Sequence, residues 1–136
     1  GRPRRCGWLG LVLLRHAHRM NGFDGVTLTK LDVLGGLSEL KICVGYTIAD
    51  EPCHEVPADI GRFARCEPVY ETIAGFPSLS LSEWLEIART SRREGSGFAA
   101  LPKAARAYVE KVESLLGFPI ISVGVGPDRE ATIERV

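Results

Sequence analysis

The stretch "LPKAARAYVEKVESLLGFPIISVGV", Leu101 to Val125, decides the fold class. Ala105, Tyr108, Val109, Val112, Leu115 and Leu116 recur at steps of three and four, the spacing of one apolar helix face. Pro102 suits a helix start and Gly117 a helix end. The spacing predicts a helix over 101–116. The run "FPIISVGV" follows at once, too short for a second helix and apolar in the manner of a strand covered on both faces.

Outward from this pair, helices and strands alternate. "SLSLSEWLEIARTSRRE" (78–94) reads as a surface helix capped by Ser80 or Ser82, with "REGSGF" a glycine-serine loop behind it. "WLGLVLLRHAHRM" (8–20) has helical spacing and a stop at Asn21-Gly22. Extended runs are predicted at Val26–Leu31, at Glu39–Ile48 with a break at Asp50-Glu51-Pro52, around Val69-Tyr70, and in the closing "ATIERV". Such alternation predicts an α/β fold with a largely parallel sheet flanked by helices. Ligands of such sheets bind at the carboxyl ends of strands. The exits at Lys30–Asp32 and Gly124–Arg129 are thus candidate walls of one site.

The 136 residues suffice for one domain with an ordinary core. Lys+Arg 17 balances Asp+Glu 17, which argues against a protein devoted to nucleic acid or to an acidic membrane surface. No apolar run approaches the ~20 residues of a membrane helix, and "GRPRRCGW" is not a signal peptide. Cys6, Cys43, Cys53 and Cys66 lack C-x-x-C spacing, so no structural zinc site or disulfide framework is expected. Four reduced thiols in a cytoplasmic protein are the expectation.

In "GVTLTKLD" (25–32) a lysine and an aspartate stand two apart where a strand ends. Strand alternation would place Lys30 and Asp32 on one side of the chain. A carboxylate there can accept two parallel hydrogen bonds, and a lysine stem can lie over a flat ring, which suits guanine with its two-donor edge. K-x-D alone arises by chance in many proteins, and no G-x-x-x-x-G-K-[ST] loop accompanies it, so the chain holds half of a nucleotide site. "SVGVGPDRE" (122–130) has glycines that allow close backbone approach to a ligand, or is simply a strand exit. "GRPRR" offers Arg2, Arg4 and Arg5 to carboxylate or phosphate. The same five residues also read as a solvated basic terminus or a minor-groove DNA hook, the last disfavoured by the zero net charge. His16, His18 and His54 suit surface or packing roles, and no Ser/His/Asp set is present.

Taken in order, "GRPRRCGW", "NGFDGVTLTKLDVLGGLSELKICVGY", "EPVYETIAGF", "LPKAARAYVEKVESLLGFPI" and "SVGVGPDREATI" resemble the C-terminal part of the adenylosuccinate synthetases. The resemblance implies that residues 1–136 are the C-terminal part of a larger P-loop-like ligase domain with a mixed sheet. It implies a cytoplasmic homodimer that joins IMP to L-aspartate at the expense of GTP, the committed step toward AMP, without nucleic-acid or membrane partners. Lys30, Leu31 and Asp32 would bind the guanine of GTP, and Gly124, Val125 and Gly126 would line its other edge. Many members carry serine where Gly124 stands. Gly1, Arg2 and Arg4 would end the aspartate-binding loop, Arg2 serving IMP and aspartate and Arg4 also reaching the GTP phosphates. The family's phosphate loop, Mg²⁺-binding aspartate and general-acid histidine have no counterpart in this sequence. It would therefore supply no catalytic residue and no metal ligand, and alone it would be inactive. Its strand Pro119–Val125 would need neighbours from upstream. A non-enzymatic guanine-nucleotide-binding or interaction module is the alternative.

Overall fold

The computed structural model describes Pro3 and residues 5–136. In chain order the elements are β1 (Leu9–Gly10), α1 (Leu11–Asn21), β2 (Val26–Leu28), β3 (Glu39–Ile48), β4 (Glu51–Cys53) and α2 (Ile60–Phe63). Then come β5 (Glu67–Ala74), α3 (Leu81–Glu94), α4 (Lys103–Leu116), β6 (Ile120–Gly124) and β7 (Thr132–Glu134). Length allows one domain, but the chain forms two compact units. One takes the described residues up to Gly22 with Lys41–Thr72, the other Phe23–Leu40 with Ile73–Val136.

In the first unit β1 runs parallel to β3, Leu9 opposite Ile42, and β4 runs antiparallel to it, Tyr46 opposite Cys53. The β3–β4 turn is only Ala49-Asp50, both left-handed (φ 50° and 66°), the twist a two-residue hairpin requires. Pro52 is tolerated because β4 ends its row of strands, where a missing N–H costs no ladder bond. Helix α1 starts three residues later than predicted, since Leu9 and Gly10 pair with β3. Gly22, left-handed at φ 65°, ends it by donating to the His18 carbonyl. Val12, Cys43 and Tyr46 form the core here, with Cys53, Val56, Phe63 and Cys66 packed on it.

The second unit holds the sheet β2–β6–β7. Helix α3 opens with a capping box: the Glu83 N–H donates to Ser80 Oγ, and the Ser80 N–H to the Glu83 carboxylate at 2.7 Å. It buries Trp84, Ala88 and Ser91. Helix α4 buries Ala105, Tyr108, Val109, Val112 and Leu116, as the spacing predicts, and Gly117 closes it at φ 81°. It begins at Lys103 because Leu101, preceding a proline, is held extended.

Strand β6 departs from expectation in two ways. First, its neighbours are both in this chain: β2 parallel on one side and β7 antiparallel on the other. Second, it is not covered on both faces. A register shift beside Val26 makes Ile121 an extra residue on β6, so Ile120 and Val123 both turn inward at 0% exposure while Ile121 is left 51% exposed. Strand β7 is antiparallel because the seven residues 125–131 cannot make a crossover. The α/β class with a mixed sheet is as expected, with a larger antiparallel share than the alternation suggests. Among the described residues no helix is long and apolar enough to cross a membrane.

Candidate functional site

Parallel pairing sends the exits of β2 and β6 to the same end of the second unit's sheet. There the two loops are tied together by the backbone: the Leu31 N–H donates to the Gly124 carbonyl at 3.0 Å. The candidate walls Lys30–Asp32 and Gly124–Gly126 therefore meet.

The way Lys30 and Asp32 are presented differs from strand alternation. β2 ends at Leu28, and Lys30 takes a left-handed φ of 62°. Leu31 is right-handed helical, and Asp32 opens a single helical turn to Leu34, its carbonyl accepting from the Gly35 N–H at 3.2 Å. Leu31 is 1% exposed, whereas Lys30 is exposed and Asp32 half-buried. Lys30 and Asp32 thus flank a buried apolar anchor. Among the described residues neither charged group has a hydrogen-bond or ion-pair partner, so both are available to a ligand.

On the other wall Val125 is fully buried, and its N–H donates to the Ala131 carbonyl at 2.8 Å. Leu31 and Val125 therefore have side chain and N–H committed to the fold, and the Leu31 carbonyl also accepts from the Leu34 N–H at 3.1 Å, closing the turn at Asp32. Gly126 is needed for close packing, since a Cβ there would stand 3.1 Å from that of Ala131. At Gly124 a Cβ would come only to 3.5 Å from the Thr29 Cα, an ordinary contact, so the serine common in the family would fit.

Three residues not singled out in the sequence shape this loop. The Asp128 carboxylate accepts from the Glu130 N–H at 2.8 Å, and its carbonyl from the Ala131 N–H at 3.0 Å. Arg89 of α3 grips the Glu130 carboxylate with Nε at 3.0 Å and a terminal nitrogen at 2.8 Å, and Glu130 holds the Arg89 pKa above the usual guanidinium value. The Pro-Asp signature is legible as a turn; the long-range Arg89–Glu130 pair leaves no local signal.

Gly1, Arg2 and Arg4 lie outside the described residues. Arg5 is exposed. Among the described residues no three His, Cys, Asp or Glu side chains gather as a metal site.

This is an α/β arrangement in which two loops meet at the carboxyl ends of adjacent parallel strands, the place where such sheets bind their ligands. The adenylosuccinate synthetase sequence profile matches residues 1–133, and the chain belongs to that family. It is 43% identical over 133 residues to the adenylosuccinate synthetase of Geobacter sulfurreducens and 47% identical over 133 to that of Desulfatibacillum aliphaticivorans. Each alignment takes in 98% of this chain and 28% of the relative, so the chain spans less than a third of their length. The structure of fully ligated adenylosuccinate synthetase from Plasmodium falciparum superposes with a TM-score of 0.82 at 34% identity, over 99% of this chain and 30% of that one.

Proposed function

We propose that the chain is the C-terminal part of an adenylosuccinate synthetase, one that ligates IMP and L-aspartate using GTP, and that its second unit reads the guanine. The reading is carried by the Leu31–Gly124 hydrogen bond, which joins a glycine-rich strand exit to the loop whose two charged side chains have no partner among the described residues. Asp32 would accept from the guanine ring N–H and amine together, and the Lys30 stem would lie over the ring. Gly124, Val125 and Gly126 would bound the other edge through their backbone. Gly1, Arg2 and Arg4 would bind aspartate and IMP, with Arg4 also serving the phosphates by two-pronged donation. Homodimer formation and a cytoplasmic location belong to this reading.

Mg²⁺ would be held by residues outside this chain, as the family resemblance implies. Phosphoryl transfer to the IMP oxygen, followed by displacement with the aspartate amine, would likewise use groups from the remainder of the protein. This chain's contribution is base selection and anion binding.

Asp32→Asn in the complete protein tests the assignment. The amide would set a donor against guanine's donors, and GTP binding should weaken by about 2–4 kcal/mol. Xanthine nucleotides, whose extra carbonyl can accept from the new amide, should gain. Unchanged GTP affinity would sink the guanine assignment.

A further inference from the structure

All four cysteines belong to the first unit, and three of them gather at its core. Cys43 is buried, and Cys53 and Cys66 are half-buried against the same core of Val12, Cys43 and Tyr46. The last two are in direct contact: the Cys66 thiol is within hydrogen-bonding reach of the Cys53 sulfur. Cys53 ends β4, opposite Tyr46 of β3, and Cys66 immediately precedes β5. Between them the chain makes an excursion held locally, with the Asp59 carboxylate capping α2 by accepting the Arg62 N–H at 2.6 Å. The thiols themselves are weakly tethered, Cys53 to the Glu55 carbonyl at 3.2 Å and Cys66 to the Arg62 carbonyl at 3.8 Å. Rotating either side chain toward the other gives up only one such weak contact.

We infer that Cys53 and Cys66 form a reversible disulfide that clamps the 54–65 excursion between the end of β4 and the start of β5. The oxidant is a small-molecule disulfide such as glutathione disulfide. One protein thiol loses its proton, and its thiolate attacks a sulfur of the oxidant, forming a mixed disulfide and expelling one small thiolate. The second protein thiolate attacks the mixed disulfide at the protein sulfur and expels the other. Two protein thiols are oxidised, one small disulfide becomes two thiols, and the protons pass to the expelled thiolates. Burial first, and then the neighbouring Cys53, hold the Cys66 thiol above its ordinary pKa, which leaves little Cys66 thiolate and slows its exchange near neutrality. Exchange should accelerate as pH rises.

The protein is incubated with glutathione disulfide at pH 8.5, quenched with an alkylating agent, and digested with trypsin and chymotrypsin. Cleavage after Tyr46 separates Cys43 from Cys53, and cleavage after Arg65 frees the Cys66 peptide. The expected result is a Cys53–Cys66 linked peptide, cleaved again by dithiothreitol, and a loss of two titratable thiols. Cys53→Ser and Cys66→Ser should each abolish the link, whereas Cys43→Ser should leave it. A link through Cys43, or mixed glutathione adducts without a protein disulfide, would overturn the inference. Cys53 and Cys66 both recovered in alkylated peptides, with no loss of titratable thiols, would overturn it equally.

Discussion

Lys30 gives the most informative test of the site, because its backbone and its side chain make opposite predictions. At φ 62° its Cβ crowds the following carbonyl, at a cost of about 1–2 kcal/mol that glycine avoids. Glycine in turn gives the unfolded chain more freedom, which takes back about 0.5–1 kcal/mol. Lys30→Gly should therefore stabilise the protein by about 0.5–1 kcal/mol. Lys30→Ala keeps the Cβ and hence the strain, and should stay within about 0.5 kcal/mol of the parent. Both variants lose the ammonium and its stem equally. If that stem lies over guanine, each should lose about 1–2 kcal/mol of GTP binding, a factor of roughly 5–30. Urea unfolding gives the stabilities, provided the slope is unchanged, and titration with a fluorescent GTP analogue gives the affinities. The reasoning is refuted if glycine is no more stable than alanine, or if both variants bind GTP like the parent.

Gly124→Ser has room for its Cβ, 3.5 Å from the Thr29 Cα, and adds a hydroxyl at the strand exit; GTP should bind tighter by about 0.5–1.5 kcal/mol in a direct titration. Gly75→Ala would set a Cβ 1.8 Å from the Leu37 carbonyl oxygen, beside the Gly75 N–H bond to Ser38. The chain must shift, and urea unfolding should show a loss of more than about 3 kcal/mol. The Ser80 side chain and then its N–H hold the Glu83 carboxyl below its ordinary pKa of 4.5. That contribution to α3 is present above the ordinary value and lost as pH falls through the depressed one. Acid unfolding of Glu83→Gln should lack this part of the pH dependence when circular dichroism is followed.

Much of this architecture is legible because it follows from local spacing. The stripe from Ala105 to Leu116, the Gly117 stop and the Ser80 cap each act within a turn or two of helix, and all appear where the sequence puts them. Strand β3 is found as predicted, Glu39–Ile48. Strand β5 reaches from Glu67 to Ala74, but only Val69-Tyr70 is recognisable, since its first four residues are exposed and no alternation is written into them. The break at Asp50 is read from sequence, but the return of the chain as β4 at Glu51–Cys53 is hidden, because proline there reads as a strand breaker. The bulge at Ile121 hides because an apolar run looks alike in either register. At the site, the meeting of the two walls was legible from strand exits alone. The left-handed Lys30 and the Arg89 grip on Glu130 were not, as both are set by partners distant in the chain.

The anchor between the two charged residues explains how an exposed pair can be placed reliably. Were the β2 exit to slip by one residue, Lys30 or Asp32 would take the position in which Leu31 is 1% exposed. Burying an unpaired charge there would cost several kcal/mol, more than any contact the slip could recover. The Leu31 N–H bond to Gly124 adds a second constraint in the same direction, since only this register sets that donor against the end of β6. The apolar residue thus fixes where the polar ones point. The strain at Lys30 is tolerated because the burial of Leu31, worth about 1.5–3 kcal/mol by itself, outweighs it. On the proposed reading, recognition of guanine would be specified by the core beneath the loop.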